Sequence, residues 1–158
     1  MLTREQYLSG KVRRWHTHHS LDQTNADHSW GVAMVLLKIH PDPAPRLIRA
    51  ALMHDCAEYL TGDIPGYAKQ NFIHLKREAD EAEKLANREL GIDRPSLTQD
   101  EEHWLSLADA IEAIMFIRHC ANLNDRDMAT NFPSLLIKAQ THADHLQVNL
   151  NEIVKVAA

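Results

Sequence analysis

Residues 104–118 read WLSLADAIEAIMFIR. The stretch is apolar on nearly every side of a 3.6-residue period, so it predicts a helix at the centre of a core. Two carboxylates interrupt it, Asp109 and Glu112. A carboxylate in such a helix costs several kcal/mol unless something pairs with it. LIRAALMHDCAEYL, at 47–60, repeats the oddity. It predicts a second central helix over about 46–60 that carries His54-Asp55, with Glu58 four residues after His54 and so on the same face. A third polar intruder is His28, at the start of a helix predicted from about His28 to Ile39. Asp27 or Asn25 would cap that helix, and Trp30, Met34 and Leu37 would join Val32, Val35 and Leu36 in a wide apolar stripe.

Outward from these three segments the pattern stays helical. PDPAP (41–45) breaks the first helix and opens the next. Thr61–Gly66 reads as a turn or loop. HLKREADEAEKLANREL (74–90) predicts a charged surface helix from about 71 to 90, closed by Gly91. Ser96 or Thr98 opens the central helix, with Asp100, Glu101 and Glu102 in a first turn that suits its dipole. That helix is expected to run to about Leu123, and an amphipathic last helix from about Pro133 to Val154. No strand alternation extends over four or more residues. The expectation is all-α, a single bundle of six or seven helices in one domain spanning 1–158.

Composition bounds the function. With 158 residues, 44% hydrophobic and 25% charged, the chain can build a real core. Five glycines, six prolines and 6% aromatics are too few for a sandwich or barrel of many short strands. A net charge of −5 gives no basic footprint for nucleic acid or an anionic membrane, so neither is an expected partner. Two cysteines, Cys56 and Cys120, make no disulfide framework or cysteine-rich zinc site. No apolar run approaches the length of a membrane span, and the first fifteen residues hold no signal-peptide core. A reducing cytoplasm is the expected location.

Eleven histidines are several times the usual number. His28, His54, Asp55 and Asp109 together supply two imidazoles and two carboxylates. That set suits one divalent transition ion (Mn, Co, Zn, Fe or Ni), which would offset the cost of burying the aspartates.

His28, the adjacent His54-Asp55 and Asp109, in this order on helices, resemble the H…HD…D pattern of the HD-domain metal-dependent phosphohydrolases. HDCAEYLTGDIPGYAK (54–69), with RW at 14–15 and HSW at 28–30, is similar to the bacterial 5′-deoxynucleotidases of that superfamily. The same motifs resemble the small phage-encoded HD enzymes that strip triphosphate from dATP. The likeness spans about residues 11–123. The stretch between His54-Asp55 and Asp109 is shorter than in the bacterial enzymes and closer to the compact viral version.

The resemblance implies an HD-domain fold and a water activated by the ion at His28, His54, Asp55 and Asp109. It implies that Glu58 positions or deprotonates that water, or protonates the leaving oxygen. Arg14 would bind the phosphate. Trp15 would pack on the sugar and exclude a 2′-hydroxyl, against ordinary core packing. Asp63 matches a position near the substrate, against the turn-forming role of a loop aspartate. Lys69 would reach a phosphate, against a solvated lysine. Glu112, three residues after Asp109, would support the ligands. His16, His18 and His19 read as a substrate loop or plain surface, not a metal site. His40, His74, His103, His119, His142 and His145 have no shared spacing and read as surface or satisfied polar groups.

The expected reaction is cleavage of the 5′ phosphoester of a 2′-deoxynucleotide, giving deoxynucleoside and phosphate. Release of triphosphate from dATP is the alternative. A triphosphate would bring further cations (Lys11, Arg13, Lys69, Lys76 or Arg77) and magnesium into play. A non-catalytic helical metal-binding protein is the remoter alternative. The resemblance also implies a homo-oligomer. The last helix would supply its interface, or pack within the monomer.

Overall fold

The structure, a computed structural model, describes residues 2–15, 21–120 and 126–157. Its elements are α1 (Arg4–Ser9), β1 (Arg13–Arg14), β2 (Gln23–Thr24), α2 (Asn25–Ile39), α3 (Pro45–Met53), α4 (Glu58–Thr61), α5 (Gly66–Asn71), α6 (Ile73–Glu89), α7 (Gln99–Cys120), α8 (Arg126–His145) and α9 (Leu150–Ala157). The fold is all-α. Among the described residues six helices have eight residues or more, and α1, α4 and α5 are single short turns. β1 and β2 pair antiparallel, Arg13 with Thr24 and Arg14 with Gln23, a ladder too short to leave an alternation in the sequence. No described helix is long and apolar enough to cross a membrane.

The chain forms two compact units. Unit 1 comprises Met1–Asp27 and Met53–Arg94, and unit 2 comprises His28–Leu52 and Pro95–Ala158. In unit 1, α1 opens with a capping box between Thr3 and Gln6. The Gln6 amide then reaches the Leu90 carbonyl at 2.9 Å. Gly91, at φ 63, lets the chain turn out of α6 as expected. In unit 2 the core is built on Val32 and Leu36 of α2, Leu47, Ala50 and Ala51 of α3, and Leu105, Leu107, Ala108 and Ile111 of α7. Thr98 and Glu101 form the capping box of α7, and Arg46 grips Glu101 at 2.8 Å. Leu150 and Ile153 of α9 pack on this same core, the intramolecular alternative.

Several expectations are corrected. The helix over 46–60 stops at Met53. Residues 54–57 form turns closed by Cys56 N–H to Met53 O and Glu58 N–H to Asp55 O. His54 and Glu58 therefore do not share the face of one helix. The cap of α2 is Thr24, whose hydroxyl accepts from Asp27 N–H while the Asp27 carboxylate accepts from Thr24 N–H at 3.0 Å. Trp30, Met34 and Leu37 are exposed, at 64%, 46% and 55%, because α2 buries the other face, Val32, Val35 and Leu36. The last predicted helix is two. The chain leaves α8 through Gln147 at φ 55, and Asn149 caps α9 with its side chain. Pro133 lies inside α8, not at its start.

Candidate functional site

In unit 1 the short ladder sets Arg14 beside Gln23, and the next residue, Trp15, takes φ 55. A bulky residue in the left-handed region is strained and persists only where its surroundings fix it. Here the indole N–H donates to the buried Gln23 amide oxygen at 2.8 Å. Arg14 is ion-paired with Asp55 Oδ2, and His54 Nε2 lies 3.3 Å from the same oxygen. Asn25, 3% exposed, donates to the Asp55 carbonyl at 3.0 Å and pins the turn that carries both residues.

Glu58 follows in α4 and is buried, with no hydrogen-bond partner for Oε2. Burial foremost, then the Asp55 charge, pushes its pKa up to about 8, against the opposing pull of Arg14. Asp63 adds to that upward push from the loop after α4. Lys69 is paired with Glu83 at 2.9 Å. Burial works to lower its pKa, but the Glu83 bond and charge outweigh it and the net shift is upward.

In unit 2, His28 is fully buried in the first turn of α2. Its Nδ1 lies 2.5 Å from Glu112 Oε2 and its Nε2 lies 3.0 Å from Asp109 Oδ1. The three-residue spacing along α7 that aligns the two carboxylates is what brings both to one ring. Lys138 of α8 pairs with Asp109 Oδ2 at 2.5 Å.

Gly31 explains how Glu112 gets in. A Cβ there would stand 2.7 Å from Glu112 Cγ and 3.0 Å from its Oε1. Gly31→Ala is therefore expected to displace Glu112 from His28 and to destabilise the protein by about 1–3 kcal/mol. Chemical denaturation measures this, and an unchanged midpoint would show that Glu112 yields freely.

Sequence reasoning thus placed Glu112 but missed Gly31, Gln23 and Lys138, and took Asn25 only as a cap. A glycine inside a helix costs about 1 kcal/mol against alanine, which is the signal Gly31 offered. Nothing in the spacing of Lys138 marks it. Among the remaining histidines, read as surface or satisfied polar groups, His103, His142 and His145 meet one another. His103 and His142 approach to 2.9 Å between Nδ1 atoms, and the His103 and His145 rings lie 3.9 Å apart. Helical spacing shows His142 with His145 but cannot show the α7 partner. Burial foremost, then Lys138, lowers the His142 pKa. His16, His18 and His19 lie outside the described residues.

A family model described as HD domain matches residues 10–131. Comparison with curated proteins gives no match. Among solved structures, the HD phosphohydrolase DatZ of cyanophage S-2L, bound to dA and one catalytic Zn2+ ion, matches this fold with a TM-score of 0.68. The two share 19% sequence identity, over 98% of this chain and 91% of that one.

Proposed function

The chain belongs to the HD-domain family, and from that premise we propose that it is a metal-dependent phosphohydrolase acting on the 5′ phosphoester of 2′-deoxynucleotides. In this reading residues 1–158 work as one domain, and His28, His54, Asp55 and Asp109 hold one divalent transition ion. The observation that carries it is His28. A fully buried imidazole with Nδ1 fixed by a carboxylate and Nε2 beside an aspartate has the arrangement of a metal-binding histidine. The donor set fits the ion: two imidazoles and two carboxylates, with the Glu58 oxygen buried and unbonded nearby in sequence.

When bound, such an ion polarises a phosphoryl oxygen and makes an adjacent water acidic. The remaining work falls to the chain. Glu58, buried three residues after Asp55, donates a proton to the departing 5′-oxygen as the water oxygen bonds to phosphorus and the P–O5′ bond breaks. The proton lost by the water restores it. Arg14 exchanges its hold on Asp55 for the phosphate and offsets the developing charge. Trp15, held by Gln23, packs on the deoxyribose where a 2′-hydroxyl would clash. Asp63 supports Glu58 in the charge balance of the site, and Lys69 serves the phosphate only by leaving Glu83.

The motif around 54–69 favours a monophosphate substrate. The second reading, release of triphosphate from a dNTP, rests on the short stretch between His54-Asp55 and Asp109; a deoxynucleoside such as the dA bound to DatZ is the product of either reaction. Incubation with Mn, Co or Zn and a panel of dNMPs and dNTPs, with products separated by chromatography, decides. No turnover of any nucleotide overturns the enzyme reading in favour of a structural ion. Inert dNMPs with triphosphate released from one dNTP selects the second reading. In the same panel Trp15→Ala is expected to cut the preference for deoxy- over ribonucleotide by about tenfold or more. Light scattering tests the implied homo-oligomer.

A further inference from the structure

We propose that Lys138 competes with the divalent ion for Asp109 and serves as a second phosphate-binding cation of the site. The inference rests on the metal-dependent reading above and deepens it. Lys138 Nζ lies 2.5 Å from Asp109 Oδ2, while Oδ1 of the same carboxylate faces His28 Nε2 at 3.0 Å. The side chains of Lys138 and Asp109 are 37% and 25% exposed, so this is an open pair and not a sealed bridge between α7 and α8. An open pair of this kind adds little stability, which leaves its position as the feature to explain.

A divalent cation on Asp109 draws on the same negative charge that holds Lys138, and two cations on one carboxylate repel each other. The lysine has a flexible four-carbon stem and a strongly hydrated head, so it turns aside at small cost while staying tethered beside the carboxylate. The anion that next comes within its reach is the phosphate the ion is there to polarise. Arg14 has the same double relation to Asp55 in unit 1. By contrast, the cations first considered for a longer phosphate chain are paired with other groups, although Lys69 also feels the Asp55 charge. Arg13 pairs with Asp22, Lys69 with Glu83, Lys76 with Asp80 and Arg77 with Glu78. Lys11 lies over the Tyr7 ring.

Two variants test this, Lys138→Met, which keeps length and loses charge, and Lys138→Arg. The first readout is calorimetric binding of Mn2+ or Zn2+ without nucleotide. Lys138→Met is expected to bind the metal several-fold more tightly, and Lys138→Arg close to wild type. The second readout is binding of orthophosphate and of tripolyphosphate to the metal-loaded protein. Both are expected to weaken in Lys138→Met by about tenfold, the size of one charge-assisted bond, with recovery in Lys138→Arg. A loss greater for tripolyphosphate places Lys138 on the outer phosphates, and an equal loss places it on the phosphate next to the nucleoside. For the nucleotide turned over, KM is expected to rise more than kcat falls. Unchanged or weaker metal binding in Lys138→Met, or unchanged anion binding, overturns the proposal. Wild-type protein that binds no metal overturns the underlying reading instead. If Lys138→Met fails to fold by circular dichroism, Lys138→Gln takes its place with the same expectations.

Discussion

Asp55→Ala is expected to abolish metal binding and nucleotide turnover together. Loss of a group that only orients a ligand costs roughly 10–100-fold in metal affinity or activity, and removal of a ligand itself is expected to exceed that range. Asp55 has an unusual concentration of roles. Its carboxylate meets Arg14 and His54, and its carbonyl accepts from Asn25. The alanine variant keeps the carbonyl bond, so the turn at 54–57 retains its anchor and loses only the carboxylate. Calorimetry with Mn2+ or Zn2+ and a chromatographic product assay, on protein whose helicity is checked by circular dichroism, give the result. Metal binding at wild-type affinity would remove Asp55 from the ligand set.

Glu58→Gln is expected to separate what Asp55→Ala removes at once. The variant should bind metal with little change, while kcat falls by about 10²–10⁴-fold, the usual worth of a positioned acid or base. Wild-type turnover in this variant would deny Glu58 any proton-transfer role. The pH dependence of stability gives a second check on chelator-stripped protein. The folded chain holds the Glu58 proton up to about pH 8, whereas the unfolded chain loses it near pH 4.5. Between these values the native state binds more protons than the unfolded one, so stability falls as pH rises. The contribution is fully present below about pH 4.5 and lost as pH passes through 8. Melting temperatures from pH 5 to 8.5 should decline in wild type and decline less in Glu58→Gln.

Much of this was legible in the sequence, because a carboxylate in an apolar helix is a physical anomaly that periodicity exposes. Asp109 and Glu112 in WLSLADAIEAIMFIR needed a reason, and the structure supplies one in His28. The all-α class followed from the same periodicity. What failed was local. Residues 54–57 have helix-forming composition, and only the long-range bond from Asn25 and the tight turns reveal that the helix ends before His54. The exposed Trp30, Met34 and Leu37 show a related limit, since residues 30–37 of α2 are apolar all round and composition does not say which side faces the core. Lys138 was invisible because its partner lies 29 residues away on another helix. Trp15 was singled out by its neighbours in a motif, yet its left-handed backbone could not be read from them.

The interleaving of the two units has a consequence for how the chain is made. Unit 1 closes with residues up to Arg94, but unit 2 takes its first piece from residues 28–52 and the rest from residue 95 onward. During synthesis from the N-terminus, α2 and α3 emerge well before the α7 residues that cover Val32, Leu36 and Leu47. Their apolar faces must wait, exposed, while some forty residues of unit 1 are added. His28 waits with them, since Asp109 and Glu112 arrive about 80 residues later. No single cut of the chain yields either unit whole and free of the other, so the pieces of this protein are spatial and not genetic.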